Sequence, residues 1–178
     1  MRKFGVLAAT IFLSIISAGI FGILHDQVTY SISPEYFTKY KYQQFGFNPY
    51  WFGGHRRAVA VIGFLATWWV GLIIGVVVGF TGLIYPDHKS MKKANVRAVA
   101  IVLITAILFG CIGFLYGRYY LTRVKMRWHL PEGLLSKKDF ITVGAIHNYS
   151  YIGGAVGLLA GVIYLILRRR KIVTTQAL

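Results

Sequence analysis

The sequence predicts an all-α membrane protein, an antiparallel four-transmembrane-helix bundle with a small aromatic extracytoplasmic cap. Three observations predict it. First, four long runs are free of charge: Phe4 to Leu24, Ala58 to Pro86, Ala98 to Gly117 and Phe140 to Leu167. Second, 56% of the 178 residues are hydrophobic and only 14% charged, with a mean hydropathy of +0.59. A soluble domain of this length needs more charge to coat its surface. Third, one stretch, His25 to Phe52, concentrates acids, prolines and aromatics between the first two apolar runs. A single integral membrane domain, 1–178, follows. Its spans are placed at about 4–24, 58–85, 98–117 and 148–167, and its extracytoplasmic segments at 25–57 and 118–147.

Met1-Arg2-Lys3 opens the first run. A basic start before an apolar core also describes a signal peptide, but this run is long enough to span, about 20 residues being needed. It lacks a clear A-x-A cleavage site, so a retained first helix is expected. Four spans put both termini on one side. Ten basic residues fall in short segments at that side: Arg2 and Lys3, then Lys89, Lys92, Lys93 and Arg97, then Arg168 to Lys171. The other ten are spread over two longer loops. The denser side is taken as cytoplasmic, placing both termini there.

Two helices are expected to exceed their spans. Trp68 and Trp69 lie near the middle of the second run, whereas Trp marks membrane interfaces. Either the helix begins well outside the bilayer, or the pair is packed between helices. Ser136 followed by Asp139 resembles a capping box and starts the fourth helix near Lys137. Small residues four apart allow close helix approach in lipid. They occur as Ser14, Ala18 and Gly22; as Gly63, Thr67, Gly71, Gly75 and Gly79; as Gly113 and Gly117; and as Gly153, Gly157 and Gly161. Gly71, Gly75, Gly79, Gly153, Gly157 and Gly161 are the helix-packing positions, unless one stripe faces another protein or another copy. Cys111, the lone cysteine in an apolar run, reads as a small buried hydrophobe and excludes a disulfide framework.

In the His25–Phe52 stretch, Val28, Tyr30 and Ile32 alternate with Thr29, Ser31 and Ser33, a strand-like period. Ser33-Pro34-Glu35 then reads as a helix start. That helix would run to about Gln44 with Tyr36, Phe37, Tyr40 and Gln44 on one face and Lys39, Lys41 and Gln43 mostly elsewhere. Phe47 to Phe52 before Gly53-Gly54 reads as an aromatic loop. The run DQVTYSISPEYFTKYKYQQFGF resembles a signature of uncharacterised bacterial multi-pass membrane proteins, the core being DQxTYxISPEYF. The resemblance implies a bacterial inner-membrane protein and brings no activity.

Four of the five histidines and four of the five acids fall on the side of this stretch. His25, Asp26, Glu35 and His147 are the candidate ligand-binding residues. Imidazole with carboxylate suits zinc or another borderline metal. Yet H-x-x-x-H and HExxH spacings are lacking, so the metal is left open and no cofactor is assigned. His25 with His147 on haem is a lesser alternative. The competing reading is architectural. Asp26 and Glu35, in a field of Arg56, Arg57, Arg118, Arg123, Lys125 and Arg127, would pair with cations while the histidines point apart.

No catalytic constellation is recognisable. Ser33, Ser136 and Ser150 have no nucleophile elbow, and the glycines match no phosphate loop. The expected function is non-enzymatic: an accessory or assembly subunit packing against itself or another membrane protein, with basic rims favouring anionic lipid headgroups. A metal- or ligand-binding or lipid-directed enzymatic site on the extracytoplasmic face is the alternative. Small-solute transport is disfavoured because the spans lack internal charge, and nucleic acid because no soluble surface remains to read it.

Overall fold

Apolar runs of this length leave the backbone no partner but itself, and helices follow. The computed structural model describes residues 2–124 and 128–176, with side chains to residue 170. The described residues are helical or irregular, without strands. Four helices are long and apolar enough to cross a membrane: α1 (Arg2–Ile32), α4 (His55–Gly82), α5 (His88–Tyr119) and α6 (Lys137–Gln176). Between α1 and α4 lie α2 (Pro34–Tyr36), a π-turn (Phe37–Lys41), α3 (Tyr42–Phe45) and a 3₁₀ turn (Pro49–Phe52). A second 3₁₀ turn, Leu121–Arg123, follows α5.

The strand-like alternation at Val28 to Ser33 is overturned. Helix α1 continues through it to Ile32, because the buried residues there are polar and helically spaced: Asp26, Thr29 and Ser33 are each under 4% exposed. The expected face at Tyr36 to Gln44 is also corrected. The π-turn at Phe37–Lys41 inserts a residue into the helical period. Tyr36, Phe37, Lys41 and Tyr42 are therefore buried, while Tyr40 and Gln44 are exposed. Gly46, at φ 65°, ends α3 in the left-handed conformation that glycine adopts freely. Asp87 starts α5 by accepting from the N–H groups of Lys89 (2.8 Å) and Ser90 (3.0 Å). Helix α6 begins at Lys137, where Ser136 Oγ accepts from Asp139 N–H at 3.3 Å.

Helix α1 packs on α4, and α5 on α6. The small residues make both contacts. Gly22 meets Gly63 backbone to backbone, Gly71 meets Ser14 and Ala18, Gly75 meets Ile11 and Gly79 meets Leu7. On the other pair Gly153 meets Ala106 and Phe109, Gly157 meets Val102, and Gly161 meets Ala98. A Cβ on Gly75 would stand 2.6 Å from Ile11 Cα, so the close approach needs glycine. Thr67 Oγ1 adds an interhelical bond to Ala18 O at 2.7 Å.

The two pairs join at both ends. At one end Asn95 donates to Thr10 Oγ1 (3.1 Å), Tyr85 donates to Leu165 O (3.0 Å), and Lys3 donates to Tyr85 O. Tyr85, Met91, Val78 and Leu165 fill that end. At the other end Tyr36, Phe37, Ile62, Phe140 and Val143 form a second apolar cluster. Trp68 and Trp69 are 38% and 47% exposed, so they face outward rather than packing between helices. Cys111 corrects the buried expectation: it is exposed, on the outer side of α5.

Candidate functional site

The second apolar cluster encloses polar groups that hydrophobic packing alone would exclude. Asp26 lies on the last part of α1 and His147 on α6, and both are buried. His147 Nε2 stands 3.1 Å from Asp26 Oδ1, and His25 Nδ1 stands 3.0 Å from the same oxygen. The imidazole rings meet edge to face, centroids 4.6 Å apart. Ligand atoms of His25, Asp26 and His147 all lie within 4.8 Å of one another, the one such group of three or more among the described residues.

The outer nitrogens are also engaged. His147 Nδ1 lies 2.9 Å from Val143 O, a carbonyl that can only accept, so Nδ1 carries the hydrogen. Its Nε2 faces a carboxylate oxygen, so either the ring is an imidazolium that donates to Asp26 or a metal cation lies between the two atoms. His25 Nε2 lies 3.3 Å from Ser150 Oγ. Each imidazole thus turns one nitrogen to Asp26 and anchors the other, the arrangement that orients metal-ligating histidines. Asp26 Oδ2 is buried and has no hydrogen-bond partner in the protein. An orphaned carboxylate oxygen in such surroundings is costly.

The rings are held by aromatic packing. Tyr36 stacks on His147 at 4.9 Å, and Phe21 lies 5.4 Å from His25. The cluster borders two spaces. One is a cavity of about 60 Å³ between the helices, among Ala66, Val70, Leu103 and Tyr151. The other is an open apolar groove of about 600 Å³ between α1 and α5, with His25 and Ser150 in its wall.

The expected cationic partner of Asp26 is overturned: its described side-chain hydrogen bonds are with the two histidines. Arg118 pairs with Asp139 instead, and Arg56 donates to Gln27 O at 3.0 Å and to Ser31 Oγ at 3.0 Å. Lys125 and Arg127 lie outside the described residues. Glu35 does not join the histidines. It accepts from the N–H groups of Leu135 (2.9 Å) and Ser136 (3.0 Å) and pairs with Lys39 at 3.7 Å. Those backbone donors, Leu135 first, hold its carboxyl below the usual range. It therefore meets the architectural expectation while Asp26 departs from it. His55 stacks between Tyr42 and Tyr30, away from the cluster.

Two residues were missed by the sequence reading. Ser150 reads in the sequence only as a serine without a nucleophile elbow, yet its Oγ lies beside His25 Nε2. Lys41 falls off the face expected to be buried, yet it is buried, and desolvation lowers its pKa while the charge of Asp26 opposes that shift. Its ammonium also lies 5.7 Å from the Phe45 ring.

The chain Ser150–His25–Asp26 has the order of a nucleophile, base and orienter. The site lacks the other half of that chemistry, since helical backbone N–H groups around Ser150 are spent in the i→i−4 ladder and leave no oxyanion donors. Haem held between the two histidines is excluded by this arrangement, because rings 4.6 Å apart and mutually perpendicular leave no room for a porphyrin. Adjacent ligands on a tetrahedral ion with bonds of about 2.0–2.1 Å stand about 3.3 Å apart, close to the 3.0 and 3.1 Å seen here.

No protein-family model matches this chain, and comparisons with curated proteins and with solved structures find nothing similar.

Proposed function

We propose that this chain is a membrane protein that binds a divalent transition metal, zinc being best suited, through His25, Asp26 and His147. The observation that carries the reading is the pair of imidazoles that each present one nitrogen to a buried carboxylate and anchor the other on Val143 O or Ser150 Oγ. Three protein ligands leave a fourth position, which is the pattern of a site that takes water or a ligand rather than a closed structural site. Zinc would supply a Lewis acid there. The protein's own groups orient the ligands, and the apolar walls exclude bulk water.

In this reading the four long helices form an antiparallel bundle. The 33–54 segment forms its aromatic cap on the extracytoplasmic side, and both termini are cytoplasmic in a bacterial inner membrane. The run of contacts from Gly22–Gly63 to Leu7–Gly79, and from Ala98–Gly161 to Ala106–Gly153, supports the antiparallel order. The basic residues at both ends would attract anionic headgroups.

The accessory-subunit reading has less support. It called for an exposed small-residue stripe, whereas Gly71, Gly75, Gly79, Gly153, Gly157 and Gly161 are spent on contacts within the chain. Purification from native membranes in mild detergent separates the two. The metal reading predicts about one equivalent of metal per chain, lost in His147→Ala. A stoichiometric protein partner without metal would return the accessory role to first place.

A further inference from the structure

We infer that the cavity between the long helices is the ligand pocket of the metal centre, and that it takes a linear monoanion of about two or three heavy atoms on the open coordination position. This ligand class rests on the metal reading above. His25, Asp26 and His147 all line the cavity, together with Ser150. Most of the remaining wall is apolar, with Phe21 from α1, Val70 and Ile74 from α4, and Leu103 and Ala106 from α5. It is a space that α1, α4, α5 and α6 share, and the three ligating side chains stand in its wall.

Size sets the upper limit. A dry apolar cavity of about 150 Å³ holds benzene, with its six heavy atoms. In proportion, the roughly 60 Å³ here holds about two or three. Charge sets the sign. A divalent ion held by one carboxylate and two neutral imidazoles leaves a single positive charge in apolar surroundings, and one anion cancels it. Lys41, buried on the cap side, can only add positive charge. Hydrogen bonding then separates linear anions from oxyanions. Thr67 spends its hydroxyl hydrogen on Ala18 O (2.7 Å), and Tyr151 spends its own on Ala66 O (3.2 Å). With Nδ1 turned to the ion, His25 carries its hydrogen on Nε2 and donates to Ser150 Oγ at 3.3 Å. The Ser150 hydroxyl hydrogen is then the side-chain donor left in the described wall for a ligand. Asp26 Oδ2, buried and unpaired, would repel any second negative oxygen. A carboxylate or phosphate here would hold oxygens without donors, a cost that a linear anion with one free end avoids.

The test loads full-length, chelator-treated protein in detergent with Co²⁺ and titrates it with azide, acetate or 4-methylimidazole. Azide should shift the visible d–d bands along a saturating curve. Acetate, an oxyanion, and 4-methylimidazole, a ring too large for the space, should leave them in place. Val70→Phe and, independently, Leu103→Phe should fill the cavity and abolish the azide shift while the cobalt bands remain. Ser150→Ala should weaken azide about tenfold on the cobalt it binds, a difference of about 1.4 kcal/mol. Three results would overturn the ligand class and leave the metal centre standing: bands unmoved by azide, bands moved equally by acetate or 4-methylimidazole, or an azide response unchanged in the cavity-filling variants or in Ser150→Ala. Wild type without cobalt bands would sink the metal reading, and this ligand with it.

Discussion

His147 and Asp26 face one another across 3.1 Å, Nε2 to Oδ1, although 121 positions separate them in the chain. The contact joins the α1–α4 pair to the α5–α6 pair near one end of the molecule. It does so with groups that packing alone would avoid.

Removing one partner of such a buried pair strands the other, a loss of about 3–5 kcal/mol, whereas replacing both with apolar residues is often nearly neutral. Asp26→Leu and His147→Leu should each lower the thermal midpoint of the chelator-treated protein in detergent. The double variant should be more stable than either single change. Additive losses would show that the two side chains are not coupled.

Glu35 makes acid sensitivity a property of the segment between α1 and α4. Backbone donors from Leu135 and Ser136 hold its folded pKa below the ordinary 4.5. A depressed carboxyl adds stability above its unfolded pKa and loses it as pH falls through the lower, folded value. Wild type should therefore be more stable than Glu35→Gln at neutral pH, and the gap should close below about pH 4.5. Thermal unfolding of both proteins across that range measures it. A gap that widens on acidification would contradict the assignment.

Glycine positions in the helices should divide sharply. Gly75→Leu forces a side chain against Ile11 and should cost about 1–3 kcal/mol or more. Gly154 has open space where a Cβ would go, so Gly154→Ala should be neutral or stabilising by up to about 1 kcal/mol. Detergent unfolding curves of the two variants compare them directly. Equal losses would mean that the α1–α4 contact is not the close one described.

Much of the architecture was legible in uncharged runs and in small residues four apart, because both follow from how backbones are satisfied and packed in lipid. His25, Asp26 and His147 stood out as rare polar residues near span ends. Their convergence was not legible, since it depends on the level at which α1 and α6 meet. The end of α1 was misread for a physical reason. The residues buried there, Asp26, Thr29 and Ser33, keep a helical period in polar groups, which a search for apolar periodicity passes over. Lys41 was hidden by the π-turn, which shifts every later side chain relative to an α-helical count. Glu35 resembled Asp26 by composition but finds its partners in the 135–136 backbone.

The most direct test of the metal centre is titration of the chelator-treated protein with Co²⁺, followed by visible absorption. Low-coordinate binding by His25, Asp26 and His147 predicts intense d–d bands saturating at about one equivalent and displaced by Zn²⁺. The bands should be lost in His147→Ala and Asp26→Asn, and kept in Glu35→Gln. Weak bands of hydrated cobalt only, or bands unchanged in His147→Ala, would contradict the account.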